Sequence, residues 1–363
     1  MSFRSSGLWV VLAAAWLLPQ LAGAEPYFAV RQGVKCATCH VNPSGGGMRN
    51  AYGNTWAQTV LPAKRIEIAD LEMWTGAINK YLAVGGNLRA NGTYVDVPNS
   101  DTQSEFEVEE MRVYGAATIV PDRLVLYADQ RIAPGGTINL EAYARVSTAD
   151  QRWYVKAGQM FLPYGWRIED DGAFIRQATG IGFATPDNGV EVGWETNLWS
   201  TQLAITNGTA GGPETDEGKQ VSLRTEHIQP GWRLGASFNY NDADAGERKM
   251  QGIFAGLRTG PIAWLAEADY IIDDSFEERR KIAAGLIEGN WMFRQGHNLK
   301  LTAEYFEPDD DVDEDEQNRF SAVYEYVPFQ FLQLRLGVRV YDGIPQNDQQ
   351  NRDVYFVSVH GFF

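Results

Sequence analysis

From about Lys80 to the last residue, apolar and polar positions alternate with period two. Between Tyr81 and Tyr94, Leu82, Val84, Gly86, Leu88 and Ala90 share one face, and Ala83, Gly85, Asn87, Arg89 and Asn91 the other. Over 281–294, Ala283, Gly285, Ile287, Gly289, Trp291 and Phe293 oppose a set containing Glu288 and Asn290. Over 333–341, Leu334, Leu336, Val338 and Val340 alternate with Arg335, Gly337, Arg339 and Tyr341. Period two is strand geometry, and a charge at every second position of an apolar strand suits a wall between lipid and a wet lumen. About sixteen such segments begin near residues 81, 105, 123, 137, 152, 189, 198, 219, 232, 248, 261, 281, 297, 317, 331 and 352.

The connections sharpen this reading. Tight turns such as Val120-Pro121-Asp122, Gln229-Pro230-Gly231, Thr259-Gly260-Pro261, Arg294-Gln295-Gly296 and Val327-Pro328-Phe329 alternate with mostly longer polar loops. Short turns on one rim and long loops on the other predict an all-β fold, a transmembrane antiparallel β-barrel of about sixteen strands over residues 76–363. A soluble sandwich or propeller is the competing architecture, but no blade-like repeat is present. The end, Gly361-Phe362-Phe363 after alternating Tyr355, Val357 and Val359, resembles the sorting signal of bacterial outer-membrane proteins. The longest connection, 163–188, resembles the loop that folds into the lumen of sixteen-stranded porins, and is expected to insert rather than hang outside. Residues 307–316 hold eight carboxylates, a solvated loop or a cation-collecting surface.

The N-terminus fixes the compartment. Arg4, the apolar run Leu8 to Leu21 and the small residues Ala22-Gly23-Ala24 read as a cleavable secretory signal over 1–24, against the alternative of a retained anchor. No cysteine lies near the cleavage point, so a lipid anchor is not indicated. High Gly, Trp, Tyr and Phe content (37, 11, 16 and 17) without long apolar runs agrees with a barrel in the bacterial outer membrane, with lipid as its surroundings. The net charge of −16 becomes −17 without Arg4; it excludes nucleic acid as a partner and suits cations or basic proteins. Association of the barrel into homo-oligomers is left open.

Residues 25–75 break the alternation; they are Gly-rich, with a short polar helix expected near 49–58. Here Cys36-Ala37-Thr38-Cys39-His40 carries the chemistry. Cys-x-x-Cys-His is the attachment pattern of c-type haem: one helical turn presents both thiols to the two vinyl groups, and the next imidazole sits under the iron. Cys36 and Cys39 are thus expected to form the thioethers of one covalent haem c, with His40 as proximal iron ligand. A thioredoxin-like pair lacks its βαβ setting, and a zinc site lacks further Cys or His nearby. About fifty residues cannot enclose a haem in a core of their own, so this segment is expected to plug the lumen. Candidates for the sixth ligand are Met48, folding back across Ser44-Gly45-Gly46-Gly47, and the lumen-facing Met292 and His360; an open site is the alternative. His227 and His297 have the lipid-facing parity. No Ser-His-Asp, P-loop or zinc-hydrolase arrangement is present, so hydrolytic catalysis is not expected.

On Phe28 to His40, Pro43 and Arg49 to Gly53, with the signal and the porin-like remainder, the chain resembles the fused monohaem cytochrome–porins of iron-oxidising bacteria. The resemblance implies a sixteen-stranded barrel and electron transfer across the outer membrane, between an extracellular donor or acceptor, Fe(II) among the donors, and a periplasmic carrier such as a cytochrome. From that family Cys36, Cys39 and His40 carry over. The other reading is a diffusion porin whose haem-bearing segment gates or senses. Lumenal pairs such as Glu141 with Arg145, or Arg335 with Arg339, would then select solutes; in a conduit they satisfy one another.

Overall fold

The computed structural model describes residues 25–67, 73–214 and 216–363; the signal expected over 1–24 lies outside them. Sixteen strands follow one another: Leu82–Asp96 (β1), Gln103–Val120 (β2), Leu124–Ala133 (β3), Ile138–Ser147 (β4), Trp153–Met160 (β5), Asp187–Glu195 (β6), Trp199–Thr206 (β7) and Gln220–Gln229 (β8). They continue as Trp232–Ala243 (β9), Gly246–Thr259 (β10), Ile262–Asp273 (β11), Arg280–Arg294 (β12), His297–Glu307 (β13), Gln317–Tyr326 (β14), Leu332–Asp342 (β15) and Asp353–Phe362 (β16). Each pairs antiparallel with its sequence neighbours, and β1 closes on β16 from Asn87 opposite Phe362 to Asp96 opposite Asp353. Closure leaves no strand edge unpaired, which is what a sheet crossing lipid requires.

The period-two pattern sorts as the sequence predicts. Ile287 is 60% exposed on the outer wall, while its neighbours Glu288 and Asn290 are buried inside. Leu336 faces out, and Arg335 reaches inward to Glu25 and Glu169. This chain is an outer-membrane-type barrel, with an apolar exterior and a polar interior. Near the short-turn rim, His227 sits between Trp199 and Trp232, and His297 stacks on Tyr326, both in the aromatic belt on the outer face. Gly231 at φ 94° and Gly260 at φ 60° supply the left-handed conformation that these two-residue turns need.

Much of the lumen is filled with protein. After β5 the chain turns inward, and Tyr164, Trp166, Ile168 and the short helix Phe174–Thr179 are buried against β11, β12 and β13. Tyr164 donates its hydroxyl to Asp269 (3.0 Å), and Arg319 pairs with Asp170 (2.9 Å). The expected insertion of this loop is what the fold contains. Residues 25–67 occupy the remaining space through the helix Pro26–Gln32 (α1), a 3-10 turn at Cys36–Thr38 and the helix Ala51–Thr59 (α2). They too bond to the wall: Tyr27 Oη donates to Glu325 (2.7 Å), Asn42 to Glu141 (2.9 Å), and Lys300 pairs with Glu25 (2.7 Å).

Two expectations change here. The helix begins at Ala51 rather than Arg49, because Arg49 pairs in a β-bridge with His40 and Asn50 caps the helix. The expected mutual pairs of lumenal charges do not form. Glu141 accepts from Asn42 and the Phe161 amide, Arg145 donates to the Val41 carbonyl, Arg335 goes to Glu169 and Arg339 to Asp170. These four wall residues bond to the segments they enclose.

Candidate functional site

The motif is positioned by two short helices and a bridge. Gly33, at φ 64°, ends α1 and turns the chain into Lys35 and the single turn that follows. Within that turn the amides of Cys39 and His40 both donate to the Cys36 carbonyl (3.1 and 3.0 Å), which stacks the two thiols and delivers the imidazole one residue later. Asn50 ties this turn to α2. Its carboxamide donates to the Thr38 carbonyl (3.1 Å) and accepts from the Gly53 amide (2.9 Å), an N-cap and a clamp in one side chain. Gly53 lies so close to the motif that a Cβ there would stand 2.2 Å from the Cys39 carbonyl oxygen.

Cys36, Cys39 and His40 border one cavity. Phe28, Ala29, Val34, Trp56, Ala57, Leu61 and Trp166 supply mostly apolar walls, and Lys35, Arg49, Arg167 and Arg224 a cationic part. The inserted loop thus contributes one side, Tyr164 to Arg167, and the N-terminal segment the other. Glu25 also borders a second, polar cavity on the long-loop side, with Arg89, Glu107, Glu109 and Arg339. On the short-turn side, His40 and Lys35 face an opening shared with Thr38, Arg145 and Glu195. The motif therefore lies between two approaches.

Both cysteines are free thiols. Burial pushes the Cys36 thiol up, and Cys39 up to about 11, so both stay protonated at neutral pH. Burial, reinforced by the Arg49 charge, pulls His40 down to about 4, against the nearby Gly46 and Gly47 carbonyls. Its imidazole is neutral, the form that binds a metal. The His40 Nδ1 is buried without a hydrogen-bond partner. An apolar cavity, two thiols one turn apart, a neutral imidazole with spare valence and a glycine-tight cradle fit a covalently held haem. Among the described residues, no cluster of three or more His, Cys, Asp or Glu comes together for a metal ion.

The candidate sixth ligands are not brought to this cavity. Met48 does fold back, but its carbonyl accepts from the Val41 amide, next to the His40–Arg49 bridge. Met48 packs in a cluster with Val41, Tyr114, Tyr127, Tyr143 and Met160, and with His40 it lines the opening on the short-turn side rather than the cavity of the two thiols. Met292 packs against the cluster containing Tyr27 and Val30. His360 is lumenal and fully buried, bonded through Nδ1 to Gln333 (3.1 Å). None of Met48, Met292 and His360 lines the cavity that Cys36 and Cys39 border. Asn50, Trp166 and Arg167 were missed as site residues from sequence; a polar N-cap after the motif is a signal for the first only.

No protein-family model matches the chain, and comparison with curated proteins finds no match. Solved structures share its fold. A loop-deletion mutant of OmpT, an outer membrane protein of Vibrio cholerae, aligns with a TM-score of 0.62 at 12% identity, covering 78% of this chain and 99% of that one. An anion-selective porin from Comamonas acidovorans gives 0.62 at 10% identity, covering 78% and 99%. Pseudomonas putida OprB gives 0.62 at 8%, covering 78% and 94%. At such identities the likeness is one of fold, a porin-like sixteen-stranded barrel.

Proposed function

We propose that this barrel carries electrons across the outer membrane through one haem c held by Cys36, Cys39 and His40. The observation that carries the reading is the joint placement of all three motif residues on one largely apolar cavity inside the lumen, between two openings. Bound there, a haem supplies a one-electron iron couple. The protein does the rest. His40 offers a neutral imidazole as proximal ligand, while Phe28, Trp56 and Trp166 keep water from the cavity. The polar cavity beyond Glu25 admits an external donor or acceptor, Fe(II) among them, from the long-loop side. The opening at Lys35, Thr38 and Arg145 gives a periplasmic carrier, such as a cytochrome, its approach.

The likeness to porins favours a second reading, a diffusion pore gated by its N-terminal segment. Burial weighs against it: Asp129, Glu141, Lys156, Glu191, Gln202 and Asn239 are each 0% exposed, whereas the wall of a water-filled channel would be wet. The full-length protein made with cytochrome-maturation machinery should carry a haem band that survives acid–acetone extraction and disappears in Cys36→Ala/Cys39→Ala. In liposomes it should pass electrons to a trapped acceptor without leaking sugars. Colourless protein, or rapid leakage without electron transfer, would reject the conduit.

A further inference from the structure

The chain carries a net charge of −16, which by itself points to basic partners. The short-turn rim has the opposite sign. Arg123 and Arg152 lie on the β2–β3 and β4–β5 turns, and Arg258 and Arg294 at the ends of β10 and β12, all exposed. Exposed Lys80 precedes β1. Lys64 and Arg65 reach the same rim where the N-terminal segment crosses two further turns. There the Ala63 amide donates to the Val327 carbonyl (2.8 Å) and the Lys64 amide to the Pro328 carbonyl (3.1 Å), and a Cβ on Gly296 would stand 2.4 Å from the Ala63 nitrogen. Only Glu67, Asp122 and Asp150 oppose these cations as exposed carboxylates among the described residues of this rim.

Most of these charges have no anion of their own. Arg152 pairs loosely with Asp150 (3.8 Å). Arg123 and Arg258 donate instead to carbonyls, those of Ser147 (3.4 Å) and Arg31 (3.1 Å). Among the described residues, Lys64, Arg65 and Arg294 form no ion pair. Arg258 also brings a like charge to Arg31, whose guanidinium donates to the Pro261 carbonyl (3.1 Å), and burial together with that charge pulls Arg31 down. The cations stand around an entrance: Gln151, Asn197 and Pro230, from three successive short turns, border the opening that holds Lys35, Thr38 and His40. Lipid headgroups do not account for them all, since the aromatic belt of Trp199, Trp232 and Tyr326 lies on the outer wall, whereas Arg31, Lys64 and Arg65 belong to the N-terminal segment. Resting on the reading that a periplasmic carrier reaches the motif from this side, we propose that the short-turn rim is a docking ring for an acidic redox protein, whose carboxylates meet the rim cations around the opening to His40. Complementary charge of this kind steers encounter and fixes orientation, and it turns basic carriers away.

Binding of the full-length protein, in neutral-detergent micelles, to two immobilised probes tests this: an acidic plant-type ferredoxin and the basic mitochondrial cytochrome c. Ferredoxin should bind, and should weaken about tenfold as salt rises from about 10 to about 100 mM, where the Debye length shrinks from roughly 30 to roughly 10 Å. Arg123→Gln/Arg258→Gln/Arg294→Gln, with barrel assembly checked by heat-modifiable gel mobility, should weaken it by about tenfold at low salt. Asp309→Asn/Asp310→Asn/Asp311→Asn, on the opposite rim, should not weaken it and should release cytochrome c. Should the arginine variant fail to assemble, Lys64→Gln/Arg65→Gln, outside every strand, takes its place. Ferredoxin binding that ignores salt and the rim variants overturns the proposal, as does cytochrome c binding as tightly as ferredoxin once the outer loop is neutralised. Ferredoxin binding lost in phosphatidylglycerol nanodiscs assigns the ring to lipid headgroups and overturns it too. The readout needs no haem, so the two readings fail separately: colourless protein that binds ferredoxin overturns the haem alone, and haem-loaded protein that ignores ferredoxin overturns the ring alone.

Discussion

Gly53 shows how little freedom the motif has. Its missing side chain lets α2 lie directly on the Cys39 carbonyl, and any Cβ there must displace that backbone. Gly53→Ala should therefore cost about 1–3 kcal/mol of local packing and lower covalent haem yield on a stained gel, while barrel assembly stays normal; full haem yield would show that the contact is dispensable. His40 offers a second handle. Burial lowers it from 6.5 to about 4, so in the unloaded protein its contribution to docking of the segment is complete above pH 6.5. It is lost as the pH falls toward 4, because the undocked chain then binds the extra proton. The linkage is on the order of 3 kcal/mol. Protease nicking of residues 25–67 should rise across this window, and less steeply in His40→Gln. Identical profiles would remove His40 as the cause.

At the scale of elements, the inserted loop and the N-terminal segment are two halves of one filling. The loop packs Tyr164, Trp166 and Phe174 against β11 to β13 and passes Arg167 across to Ser44, while the segment covers β3 to β5 through Asn42 and Met48. Neither half shelters the cavity alone. Replacing residues 164–182 by a short Gly-Ser linker should wet the wall near Glu267, which accepts from the Trp166 amide, and near Glu304, which accepts from the Phe174 amide as well as from Arg319. Planar-bilayer recordings of that variant should show steady ion conductance above wild type. A closed trace would mean that the N-terminal segment seals the lumen without help.

At the scale of the whole molecule, charge is distributed along the barrel axis. The end of β13 and the loop that leads to β14 hold eight carboxylates over 307–316, and Lys281 reaches from β12 to one of them, Asp311 (2.7 Å). Short turns on the opposite rim carry exposed Arg123, Arg152, Arg258 and Arg294. An acidic outer face raises the local concentration of cations within about a Debye length, roughly 8 Å at physiological salt. In the buried interior between the faces many charges meet an opposite one, as with Lys156 and Glu191 at 3.0 Å.

Much of this was written locally. Alternation at period two gives the sixteen strands, because a strand in lipid must show apolar atoms on one face whatever its partners are, and Gly or Pro at the turns marks the rims. The relative placement of the five residues from Cys36 to His40 was also legible, because one helical turn fixes it. Tertiary structure alone decided which groups meet across the lumen. Glu141 could be read as a lumenal acid but not as the acceptor of Asn42, and Met48 could be read as folding back but not as packing among Tyr114, Tyr127 and Tyr143. The role of Arg167 as a wall of the cavity is of the same kind, since it depends on a loop and a segment some 120 residues apart entering one enclosed space. Contacts between such distant stretches leave no periodicity in either; they exist only once the barrel has closed around both.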